Sequence, residues 1–135
     1  LPEAVAQMFS LLGPYAFSSN AVENFRLWVD KNGKKFPEIL YIWDDAYEHI
    51  GMSAPFDGEG VLKKRVDLIK GGESRSMVYD TRMAAKYGKE STGHGSSVKQ
   101  TISPLLPHIS SNCRPANLIM MQGIHSIEDM ITTGL

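Results

Sequence analysis

The sequence predicts an α+β fold: a mainly antiparallel β-sheet flanked by short helices. Three observations carry this. Val5, Met8, Phe9 and Leu12 fall at helical spacing near the start of the chain. Ile39-Leu40-Tyr41-Ile42-Trp43 is a compact apolar run bounded by Pro37 and by Asp44-Asp45, as suits a buried strand. Two further strand-like runs, Val61–Ile69 and Ser74–Tyr79, are separated by Gly71-Gly72, which suits a tight hairpin turn.

The stretch from Ser53 to Gly95 organises the rest. A turn-rich segment, Ser53–Gly60, leads into the first hairpin strand. In that strand Val61, Lys63, Arg65, Asp67 and Ile69 alternate with Leu62, Lys64, Val66, Leu68 and Lys70. The alternation is imperfect, which predicts an exposed or edge-like face. After the returning strand, Asp80 is placed to cap a short helix over Thr81–Tyr87. Lys89 to Val98 then reads as a mobile loop of small polar residues, Ser91, Thr92, Gly93, His94, Gly95, Ser96 and Ser97. Loops of this kind admit close backbone approach to a ligand.

The remaining elements follow the same logic. Pro2 suits a first helical turn, and Gly13-Pro14 predicts the end of that helix. A second helix is expected within Ala16–Phe36, capped by Ser18, Ser19 or Asn20, and followed by a solvated turn at Asp30–Lys35. Asp44 and Asp45 read as a strand-ending turn, since adjacent strand residues face opposite ways and do not easily share one ion. His49 reads as a surface residue. From Thr101 the chain is loop-like, with Pro104, Pro107 and Pro115. Leu118–Met121 reads as a strand, and Ser126 as the cap of a helix over Ile127–Ile131.

Bulk properties restrict function. The 135 residues fit one domain, and the net charge of −1 gives no basic footprint for nucleic acid. The single cysteine, Cys113, excludes an internal disulfide framework and fits a reducing, cytoplasmic compartment. No apolar run reaches the roughly 20 residues of a membrane-spanning helix. A serine-hydrolase reading of Ser91, His94 and Asp80 fails for want of a Gly-x-Ser-x-Gly elbow. Cys113 and His108 alone do not make a zinc site.

Several motifs stand in order: Pro55-Phe56-Asp57-Gly58-Glu59-Gly60-Val61, Leu68-Ile69-Lys70-Gly71-Gly72, Asp80, Ala85-Lys86-Tyr87-Gly88, Ser91-Thr92-Gly93 and Arg114-Pro115-Ala116-Asn117-Leu118. Together they resemble the TldD/PmbA family, proposed modulators of DNA gyrase that include zinc metallopeptidases. The resemblance runs from about Pro2 to the end of the chain. It implies that the sheet is curved and partly barrel-like, and that the chain is a fragment of a larger C-terminal domain.

In catalytic members a helix in this part of the domain carries a His-Glu-x-x-x-His zinc motif. Here the segment reads Pro2-Glu3-Ala4-Val5-Ala6-Gln7-Met8, and no histidine precedes His49. The resemblance is therefore to the PmbA (TldE) branch, whose members lack the motif. It implies a non-catalytic subunit that holds no cofactor itself, with zinc in a TldD-like partner. It implies unfolded peptide as substrate and a TldD-like subunit or a further copy as partner; the net charge and the lack of a long apolar run argue against direct contact with nucleic acid or membrane. A peptide would add as a strand along an exposed sheet edge, with Ser91, Thr92, Gly93, His94 and Gly95 nearest the groove. His94 departs from the family pattern, which commonly has asparagine there. The alternatives are an active zinc metallopeptidase whose ligands lie outside this chain, and a non-enzymatic peptide-binding or scaffold domain.

Overall fold

Helix α1 spans Pro2–Ala16 and runs through Gly13-Pro14 rather than stopping there. Pro14 has no N–H to give the preceding turn, but the ladder closes again through Phe17 N–H to Gly13 O at 3.1 Å. Packing holds this turn in place. An ideal Cβ on Gly13 would lie 2.7 Å from Leu118 Cδ1, so glycine lets the helix close onto the sheet. Among the described residues of α1, Gly13 and Ala16 are buried and Val5 and Phe9 half-buried, at spacings of three and four. Met8, expected to face the core, is 43% exposed. The structure, a computed structural model, describes residues 2–19, 36–49, 54–101 and 110–121, with 123 and 132. The second helix expected before Phe36, the approach at Gly51-Met52 and the helix after Ser126 fall largely or wholly outside the described residues.

Strand β1 is Ile42–Asp44, displaced from the predicted Ile39–Trp43. Ile39 is exposed, and Asp44 lies within the strand rather than in a turn beyond it. The predicted Val61–Ile69 strand begins later, as β2, Val66–Lys70. Residues 61–65 instead follow a separate path, with Leu62 bridging Phe56. The Gly71-Gly72 turn forms as predicted, with φ of 60° and 76°, both in the region that glycine adopts without strain. The returning strand is short, β3, Glu73–Ser74. Beyond it Val78 bridges Ser18 from the region after α1.

Helix α2 spans Thr81–Lys86, and Asp80 is its N-cap as expected: Oδ1 accepts the Met83 N–H at 2.6 Å. The stretch from Lys89 is only partly a loop, because strand β4 begins at Gly95 and runs to Thr101. The segment after Thr101 is not all loop either, since β5, Ser110–Cys113, pairs antiparallel with β4. Small polar residues there carry no strand signal of their own, and pairing with a neighbour sets their conformation. Strand β6 is Leu118–Met120.

Four strands form one curved, open antiparallel sheet in the order β3-β2-β1-β6, and β4-β5 form a second ladder. In register, Ile42 faces Met120 and Asp44 faces Leu118. The main core gathers Ile42, Val66, Leu68, Ile69, Val78 and Cys113, with Phe9 and Phe17 packed onto it from the α1 side. A smaller core of Met77, Tyr79, Met83 and Ala84 seats α2.

Candidate functional site

The crossing from Ser91 to Gly95 lies between two buried carboxylates. Asp44, at the end of β1, is fully buried. Its Oδ1 accepts from His94 Nε2 at 2.8 Å, and its Oδ2 accepts from the N–H groups of Ala116 (2.7 Å) and Asn117 (2.9 Å). An ionised carboxylate only accepts, so Nε2 carries the hydrogen. Burial works to raise the Asp44 pKa. The His94 hydrogen bond and charge, with the Asn117 and Ala116 N–H groups, outweigh it and hold the carboxyl below its ordinary value.

Asp57 mirrors this arrangement on the other flank. Its Oδ1 accepts from Glu59 and Val61 N–H, both at 2.9 Å, and its Oδ2 from Gly95 N–H at 2.7 Å. Gly58 N–H in turn donates to Gly95 O at 3.0 Å. Glu59 reaches Thr81 N–H and hydroxyl at the start of α2. These acids, with Asp80 at its cap, are turned to backbone N–H groups. Charge-assisted bonds of this kind fix main-chain position strongly.

Between these clamps the crossing is hydrogen-bonded along its length. Tyr79 N–H donates to Thr92 Oγ1 at 2.8 Å, and Thr92 Oγ1 lies 3.0 Å from both Tyr79 O and His94 Nδ1. Ser91 Oγ donates to Tyr79 O, and Gly93 N–H to Ser91 Oγ. Lys64 N–H donates to Thr92 O, and Arg114 N–H to His94 O. Asp44, His94 and Thr92 form a chain with the connectivity of an acid–base–nucleophile relay. The Thr92 hydroxyl is committed to the Tyr79 main chain and the imidazole is fully buried, so no nucleophile is presented. Ser91 and Asp80 make no hydrogen bond to His94. Asp80 caps α2 instead.

Beside the crossing lies a cleft of about 720 Å³. One wall is a single face of α1, made of Ala6, Phe9, Ser10 and Gly13. Phe56, Asp57, Gly58 and Lys63 also line it, as do His94-Gly95-Ser96 and Arg114–Leu118. Of the five groove candidates read from the sequence, His94 and Gly95 line the cleft. Ser91, Thr92 and Gly93 face Tyr79 and residues 62–64 instead. The family resemblance singles out α1 and the Arg114–Leu118 motif in the sequence, without the expectation that either lines the groove.

The cleft's lining does not fit a zinc site. Zinc takes three or four nitrogen, sulfur or carboxylate donors, and the α1 face offers none. Among the described residues, no three His, Cys, Asp or Glu side chains gather in a way that could hold a metal ion. Cys113 is buried in the core. Burial, with the nearby Asp80 charge, pushes its thiol up to about 12.

Residues 1–134 match the family model of the PmbA/TldA metallopeptidase C-terminal domain. The chain belongs to the PmbA/TldD family. It is 30% identical over 131 residues to an uncharacterized protein of Methanocaldococcus jannaschii, covering 95% of this chain and 30% of that relative. TldE from Thermococcus kodakarensis is similar in structure, with a TM-score of 0.70 and 26% identity over 90% of this chain and 27% of that one. A proposed DNA gyrase modulator from Thermotoga maritima shares the fold, with a TM-score of 0.69 and 23% identity over 94% of this chain and 27% of that one. The chain therefore spans less than a third of the length of these family relatives. No helix among the described residues is long and apolar enough to cross a membrane.

Proposed function

We propose that this chain is part of the C-terminal domain of a TldE-type subunit, itself non-catalytic, that works beside a zinc-bearing TldD-like subunit on unfolded peptides. One observation carries the reading. The α1 face that opens into the cleft presents Ala6, Phe9, Ser10 and Gly13, where the resemblance puts the metal-binding helix of catalytic members. Glu3, the acidic residue of the first turn, is exposed and does not line the cleft. Among the described lining residues, Asp57 is engaged by main-chain N–H groups and the His94 imidazole is buried against Asp44, so neither is presented to the cleft as a general base. The partner is a TldD-like subunit rather than a further copy, because a second copy would bring the same non-ligating helix. A cytoplasmic setting suits the single reduced thiol.

The test uses the full-length protein, purified alone and with a co-expressed TldD-like subunit. Zinc content and cleavage of an unfolded peptide are measured in both. Zinc and cleavage that arise only with the partner support the accessory role. Stoichiometric zinc and cleavage in the protein alone would overturn it, in favour of an active peptidase with ligands outside this chain.

A further inference from the structure

Arg114 is one of the charged residues that line the cleft, and the acidic lining residue is Asp57. Asp57 is 9% exposed, and both its oxygens are occupied by three backbone N–H groups, so its charge is covered from the cleft. The Arg114 main chain is anchored by its N–H to His94 O. Its side chain is exposed, and its guanidinium makes no hydrogen bond or ion pair with the described residues. The cleft thus holds an uncompensated planar donor fork, which matches a carboxylate in two-point geometry. The same cleft is lined by two aromatic rings, Phe9 from α1 and Phe56, which is 56% exposed. The volume of about 720 Å³ falls in the range of small-ligand sites.

We propose that this cleft binds the free C-terminal carboxylate of a peptide whose last side chain is apolar, with Arg114 pairing the carboxylate and Phe9 and Phe56 flanking the side chain. Charge complementarity selects this occupant. An anionic group meets the guanidinium, while the aromatic lining rewards an apolar neighbour, and a net charge of −1 gives a polynucleotide little to track. The guanidinium would also pair a phosphate, but the aromatic lining favours a carboxylate that carries an apolar side chain beside it. The site is open, so the attraction weakens with added salt. This inference rests on the peptide-binding part of the reading above and gives that peptide a polarity: its C-terminus enters the cleft.

The experiment is fluorescence anisotropy on the full-length protein. Its probes are a short peptide labelled at its N-terminus and ending in leucine, as the free acid and as the C-terminal amide. The amide is expected to bind about tenfold more weakly, as the loss of a charge-assisted pair implies. R114Q should bring the acid down to the amide and leave the amide unchanged, and R114K should recover part of the difference. The Arg114 side chain is exposed and its anchoring bond is main-chain, so the variant keeps the fold. Equal binding of acid and amide overturns the carboxylate proposal while leaving peptide binding intact. R114Q that still discriminates also overturns it. If neither peptide binds, the cleft proposal falls with peptide binding, while zinc content and co-purification with the TldD-like subunit read the accessory role separately.

Discussion

His94 Nε2 lies 2.8 Å from Asp44 Oδ1, and both side chains are fully buried. This pair joins β1 to the start of β4, and the second Asp44 oxygen ties in the segment 116–117. Three separate parts of the chain therefore meet on one carboxylate beneath the cleft. Breaking a buried pair leaves an uncompensated polar group, which costs more than the intact pair contributes. In Asp44→Asn the new amide must set a donor against either His94 or the two backbone N–H groups. The expected loss is about 3 kcal/mol in urea unfolding. His94→Gln keeps a side-chain donor and should lose less than His94→Ala. Equal losses for the two His94 variants would mean that ring packing, not the bond, matters.

The same carboxylate shapes acid stability. Its pKa is depressed on folding from an ordinary value of 3.8. The unfolded chain therefore binds the proton more readily, and this contribution to stability rises with pH. It is complete above the unfolded value and is lost as pH falls from there through the lower folded pKa. The stability gap between wild type and Asp44→Asn should be constant near neutrality and shrink below about pH 4. Unfolding curves for both proteins at a series of pH values measure it. A gap that is unchanged down to about pH 2 would show that Asp44 is not the titrating group.

What was legible in the sequence is what is local. Asp80 reads as a cap because its partner, Met83 N–H, is three residues away. Gly71-Gly72 reads as a turn because its φ values demand glycine. The strand at Leu118 was legible through the Arg114–Leu118 motif, whose family counterpart leads into a strand. The clamps were not legible, because Asp44 meets His94 50 residues on, and Asp57 meets Gly95 38 residues on. Spacing carries no signal at that range. The same reason hid β4 and β5, whose serines and glycine look like a connector until a partner strand supplies their hydrogen bonds. α1 outran its predicted stop because packing of Gly13 on Leu118 outweighed a local Gly-Pro signal.

Gly93 offers a test of how tightly the crossing is packed. Its φ is 73°, and a Cβ there would meet Leu62 O and lie 2.6 Å from Lys63 Cα. These neighbours are backbone, which cannot move aside as a side-chain tip can. Gly88 has a similar φ of 62° with nothing within 4 Å. Gly88→Ala should then cost only the left-handed backbone term, about 1 kcal/mol. Gly93→Ala should add overpacking, for a total of about 3 kcal/mol. Thermal or urea unfolding of the two variants separates the terms. Equal costs would show that the 62–64 segment yields to the added methyl.

Cys113 should be chemically silent in the folded protein. The thiolate is the reactive form, and with a pKa of about 12 only about one thiol in ten thousand is ionised near pH 8. Burial is the larger cause and the Asp80 charge the smaller. Asp80→Asn keeps a capping oxygen for Met83 N–H and removes the charge, so it separates the two. A thiol-reactive maleimide should label neither wild type nor Asp80→Asn quickly under native conditions, and should label both promptly in denaturant. Fast native labelling of Asp80→Asn alone would make charge, not burial, the protecting term. Fast native labelling of both would mean that the core around Cys113 opens far more often than its packing against Val78 and Leu68 implies.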